Sequence, residues 1–69
     1  MRNALLKGKI RELGFSQRDI SDKIGLSLSR FNAKLNNTHG AQFTLCEIKA
    51  LRDILVLTPD QVDQIFFDY

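Results

Sequence analysis

One pattern recurs four times in this chain of 69 residues: an apolar residue, then a hydroxyl residue, then a second apolar residue four places further on. The copies are Phe15-Ser16 with Ile20, Leu26-Ser27 with Phe31, Phe43-Thr44 with Ile48, and Leu57-Thr58 with Val62. In each, the hydroxyl can accept a hydrogen bond from an otherwise unpaired amide of a helix's first turn. The flanking apolar pair can close over that turn as a hydrophobic staple. Thr44 with Glu47, and Thr58 with Gln61, have the spacing of a full capping box, and Pro59 takes the first helical position, where its missing amide costs nothing. Ser16 and Ser27 stand eleven residues apart, with Gly25 between them free to take the left-handed conformation that ends a helix. An opening helix closed by Gly14 completes the series. The spacing predicts helices over about 3–13, 17–24, 28–35, 45–56 and 59–67. No segment alternates apolar and polar as a strand does. The expected fold is all-α: one compact five-helix domain over residues 1–69, with a helix–turn–helix at about 17–36.

Apolar spacing assigns the inward faces. Leu6, Ile10 and Leu13 line the first helix, Ile20 and Ile24 the second, and Phe31 and Leu35 the third. Ile48, Leu51 and Leu55 line the fourth, and Val62, Ile65, Phe66 and Tyr69 the fifth. Leu26 and Leu57, each just before a cap, are expected to fill gaps between helices. An apolar fraction of 43% suits a folded globule. A domain this short buries only about 60% of its unfolded surface, so its own stability is modest. Cys46, the single cysteine, excludes an internal disulfide and a multi-cysteine metal site. It reads as a small, partly buried apolar residue. No signal segment opens the chain, and no apolar run approaches the ~20 residues that span a bilayer. A cytoplasmic location is expected.

The net charge of +2 conceals an asymmetry. Residues 1–39 hold eight Lys/Arg against three Asp/Glu, and residues 40–69 hold two against five. Between Asp22 and Glu47 there is no acid, while Lys23, Arg30 and Lys34 fall inside that window. A surface that meets phosphates must omit carboxylates as well as carry bases. Within it, Leu28, Phe31 and Leu35 fall on one side of the third helix at 100° per residue. Ser29, Arg30 and Ala33 fall on the other, with Asn32, Lys34 and Asn36 at the margins. Arg30 occupies the third helical position, where a carboxylate would complement the helix dipole and a cation does not. A cation there fits a phosphate or a guanine edge, and Ala33 can press on a thymine methyl.

The run from Gln17 to Asn36 resembles the helix–turn–helix of the lambda-repressor-like family, which includes phage repressors, Cro proteins and XRE-type bacterial regulators. Gln17, Ile20, Gly25 and Asn36 stand in register, and the flanking helices fit that family's five-helix domain. The resemblance implies that Gln17 and Asn36 anchor the DNA backbone. It implies too that Leu28, Ser29, Asn32 and Ala33 face base edges, alongside Arg30. Two residues depart from the pattern. Ser21 replaces the usual alanine at the closest approach of the two helices. Leu28 stands where polar readers are frequent, and either packs inward or touches a thymine methyl. Further phosphate contacts are expected from Arg2, Lys7, Lys9, Arg11, Arg18 and Lys34, which position a protein without reading sequence.

The expectation is a sequence-specific transcriptional regulator, a Cro-like phage or prophage repressor associated with the nucleoid. Its partner would be a pseudo-palindromic double-stranded operator, bound as a homodimer with half-sites about one helical turn apart. Phe66, Phe67 and Tyr69 form the candidate subunit contact. The alternative for Phe67 is that it folds over the domain's own edge. The rival class is a helical protein-interaction module, antirepressor- or antitoxin-like, that keeps the fold without touching DNA. The acid-free window argues against it. His39 has no Cys or carboxylate companions and reads as a surface residue, not a metal ligand. Asp60, Asp63 and Asp68 read as a solvated helix face. No nucleophile–base set or glycine-rich phosphate loop is visible, so no enzyme, cofactor, metal or small-molecule substrate is expected.

Overall fold

The computed structural model describes residues 1–67, the side chain of His39 excepted, so Asp68 and Tyr69 lie outside the described residues. Among the described residues there are five α-helices and no strand: α1 (Asn3–Glu12), α2 (Gln17–Lys23), α3 (Leu28–Leu35), α4 (Leu45–Leu55) and α5 (Pro59–Phe66). A single 3-10 turn, Thr38–Gly40, sits in the polar loop between α3 and α4. No helix among these is long and apolar enough to cross a membrane.

Four helix starts are held as their sequences dictate. Ser16, Ser27, Thr44 and Thr58 each accept the backbone N–H of the residue three places on, Asp19, Arg30, Glu47 and Gln61 respectively. Three of these four close reciprocally, because Asp19, Glu47 and Gln61 accept the N–H of their own cap residues at 2.9 Å. The Ser16–Asp19 box goes beyond the sequence reading, which gave Ser16 only as a cap; here the shorter acid closes it. α1 has no side-chain cap; instead the Arg2 N–H donates to the Ile65 carbonyl at 2.8 Å, pinning the start of α1 to α5.

Three helix ends, those of α1, α2 and α4, follow one scheme. After α1 and α2 the chain turns at Gly14 (φ 80°) and Gly25 (φ 76°), and the next amide reaches back to the helix. Phe15 N–H donates to Ile10 at 3.1 Å, and Leu26 N–H to Ser21 at 2.9 Å. Only glycine enters this left-handed region without a Cβ penalty. α4 ends the same way with Leu57 N–H on Arg52, but Val56 stands at the left-handed position with φ 52°. Except for α3, each helix ends one residue earlier than its periodicity suggested, because that residue becomes the turn.

The core collects Leu6, Ile10, Ile20, Phe31, Leu35, Leu51, Leu55, Leu57 and Ile65, with Phe15, Ile24, Leu26, Phe43, Val62 and Phe66 packed on its margin. Each fully buried side chain of this kind contributes roughly 1.5–3 kcal/mol. Phe43 bridges α3 and α5, its ring centroid 5.7 Å from Phe31 and 6.2 Å from Phe66. Three expectations need correction. Ile48 does not join Leu51 and Leu55 in the core but stands half-buried beside the groove lined by Phe43 and Phe66. Leu13 is not core: it lies just past the last turn of α1 and is 42% exposed. Cys46 is exposed rather than partly buried, because it sits on the side of α4 opposite Leu51 and Leu55.

Candidate nucleic-acid interface

The chemistry singled out by the sequence lies on α2, α3 and the adjoining face of α1. The segment between α2 and α3 is short, and Leu26 plugs the space behind it. Where α2 meets the core, Ser21 is 1% exposed, and its hydroxyl is satisfied by donating to the Arg18 carbonyl at 2.9 Å. The serine therefore fills the close approach without leaving a buried polar group unpaired. Phe31 and Leu35 anchor α3 from behind with no exposed surface. Ser29 and Arg30 are exposed, and Leu28, Asn32 and Ala33 are half-buried. Leu28 thus lies between the two readings its sequence left open.

Gln17 and Arg11 line one groove of about 210 Å³ together with Lys7, Ile10 and Phe15. Lys7 Nζ in turn donates to Asn36 Oδ1 at 2.9 Å. Of the residues expected to anchor a nucleic-acid backbone, Arg11 and Gln17 thus share a groove with Lys7, and Asn36 bonds that lysine. Sequence spacing could not foresee the Lys7–Asn36 bond, which joins positions 29 residues apart.

The cations divide into two groups. Lys7 bonds Asn36, Lys9 pairs with Glu12 at 3.7 Å, Lys23 lies 5.7 Å from the Phe15 ring centroid, and Arg52 pairs with Asp53 at 3.1 Å. Lys34 Nζ donates to both Glu47 oxygens, at 2.6 and 2.8 Å, with side chains only 12% and 15% exposed. Lys34 was expected to be a phosphate contact; its charge is instead committed to Glu47, an acid that closes the carboxylate-free window from across the loop. Burial pushes the Glu47 pKa up, but the hydrogen bonds from Lys34 and the Thr44 amide outweigh it and leave it below the usual carboxylate range. Among the described residues, the side chains of Arg11, Arg18, Arg30 and Lys49 take part in no such contact.

The candidate subunit contact is split. Phe66 is half-buried with its ring edge-on to Phe43, so most of it belongs to the domain's own packing. Phe67 is 38% exposed and lines a groove of about 280 Å³ with Met1, Phe43 and Ile48. Tyr69 lies outside the described residues. Comparison of the chain with protein-family models, curated proteins and solved structures finds no match.

Proposed function

We propose that the protein is a small sequence-specific DNA-binding regulator, a lambda-repressor-like helix–turn–helix domain that lays α3 in the major groove. The observation that carries this reading is the first turn of α3. Ser29 and Arg30 stand exposed there, with Phe31 buried behind them and no acidic residue in the turn. In this reading Arg30 reads a guanine edge, Ser29, Asn32 and Ala33 read or sit close to neighbouring bases, and Leu28 meets a thymine methyl. Arg11, Arg18, Gln17 and Asn36 position the domain on phosphates. One domain covers only a few base pairs, so a homodimer through Phe67 on a pseudo-palindromic operator supplies the remaining specificity. Occupying a promoter in this way makes it a repressor of the Cro type.

Binding to a labelled duplex of mixed sequence at low salt, followed by selection of bound fragments from a random pool, tests the proposal. Affinity for mixed DNA should fall steeply as salt rises. A selected duplex should bind at least about 1,000-fold more tightly than the mixed one. No binding at low salt would reject the reading in favour of a protein-interaction module. Phe67→Asp should shift the protein toward monomer in size-exclusion chromatography; an unchanged balance rejects that interface.

A further inference from the structure

The two ends of α3 are held very differently. At its C-terminal turn Lys34 Nζ grips both oxygens of Glu47, and Glu47 Oε1 also accepts the Thr44 N–H at 2.9 Å. One carboxylate therefore caps α4 and restrains α3 at once. From the other side Lys7 donates to Asn36, the residue that ends α3. At the N-terminal turn, by contrast, the side chains of Ser29 and Arg30 bond no described residue. Ser27 and the buried Phe31 seat that first turn, and it is the side chains of Ser29 and Arg30 that face outward there.

We infer that Lys34 and Glu47 are positioning residues for the DNA-facing helix: their pair sets the tilt of α3, and Lys34 neutralises no phosphate. This rests on the reading of α3 given above. The lever is long enough to matter. Eight helical residues span about 12 Å, so a tilt of about 10° about the last turn moves the first by about 2 Å. A hydrogen bond to a base edge survives over a window of only about 0.5 Å. Losing the pair should therefore damage discrimination between sequences far more than general attraction to DNA. A phosphate contact would behave in the opposite way, weakening all sequences alike and lowering the salt slope by about 0.9.

Two substitutions separate these roles with little disturbance. Lys34→Met keeps the length of the side chain in its half-buried place. Glu47→Gln keeps the capping box, since glutamine serves at that position as Gln61 does in α5. Each variant, and the two combined, would be measured against the selected duplex and the mixed duplex over a range of salt, with circular dichroism confirming the fold. Lys34→Gln gives the same comparison should the methionine variant lose its helical signal.

The expected result is a fall of about 5–10-fold in the ratio of selected to mixed affinity for either single variant, the size of a typical coupling between contacting residues. The double variant should be no worse than the singles, and Lys34→Met should leave the salt slope on mixed DNA unchanged. A slope lower by about 0.9 in Lys34→Met, or an unchanged ratio in Glu47→Gln, overturns the positioning role while the DNA reading stands. Failure of the unmodified protein to bind either duplex overturns the DNA reading itself.

Discussion

The first turns of α3 and α4 begin with the same device and end in opposite chemistry. Ser27 and Thr44 both accept the amide three residues on, at 3.2 Å. In α4 that third residue is Glu47, which returns the bond to the Thr44 amide and complements the dipole of the helix. In α3 it is Arg30, which can return nothing and places a cation where the N–H groups already carry partial positive charge. α2 and α5 follow α4, with Asp19 and Gln61 closing their boxes. Three of the four capped starts are built for stability, and the fourth forgoes part of it. In the proposed function, phosphate or a guanine edge outside the domain is what an exposed cation at this position meets.

Arg30→Glu attacks this contrast directly and carries the largest expected effect. It would complete a capping box at α3, and the gain in folding stability should be about 1 kcal/mol. Unfolding by urea measures that. Under the proposed function the same change also takes away the guanine contact and sets a carboxylate against phosphate, so affinity for the selected duplex should fall by about 100-fold or more. Stability and binding then move in opposite directions. If both fall together, Arg30 is a structural residue and the contrast between the two turns means nothing for function.

Much of this was legible because it is local. A cap, its staple and the glycine that ends a helix lie within a dozen residues, and the 3.6-residue period identified Leu6, Ile20, Phe31, Leu51 and Ile65 as core. What escaped was set by the chain's return in three dimensions. Lys34 reads as a free base beside Arg30 until the loop brings Glu47 against it, and nothing within α3 announces that meeting. The Lys7–Asn36 bond is hidden for the same reason. Leu13 and Cys46 were misplaced at the margins of helices, where a shift of one residue or a change of face decides exposure. The helical angle alone turns Arg30 outward, and it stands exposed.

Val56 sharpens the comparison, because it too breaks a local rule but at the far end of α4. It is a β-branched residue held at φ 52°, and at 79% exposure it packs against little. The left-handed conformation costs such a residue about 1–2 kcal/mol, and glycine gives back about 0.5–1 kcal/mol through its freer unfolded chain. Val56→Gly should therefore stabilise the fold by roughly 0.5–1 kcal/mol, a rise in Tm of several degrees. DNA affinity should not change. Were binding lost with Val56→Gly, departure from helix-end rules would not single out α3, and the exposed valine would belong to the functional surface.

The smallest effect comes from the carboxylate that α3 lacks and α4 has. The Glu47 pKa is depressed in the folded chain: burial raises it, and the bonds from Lys34 and the Thr44 amide more than offset that. A depressed carboxylate stabilises the fold fully above its ordinary unfolded pKa and loses that contribution as pH falls through the lower folded value. For a pair still open to solvent at its edge the contribution is about 0.5 kcal/mol. Asp19 is lowered as well, chiefly by the Ser16 amide and then by the Ser16 hydroxyl, and it shares the acid range. Gln61, closing the box at α5, does not titrate. Thermal unfolding between pH 5 and pH 3 should therefore show a smaller loss of Tm in Glu47→Gln than in the unmodified protein, by about 2–4 °C. Asp19 is common to both proteins and cancels from the difference. Parallel curves would mean that Lys34 and Glu47 do not hold each other in solution.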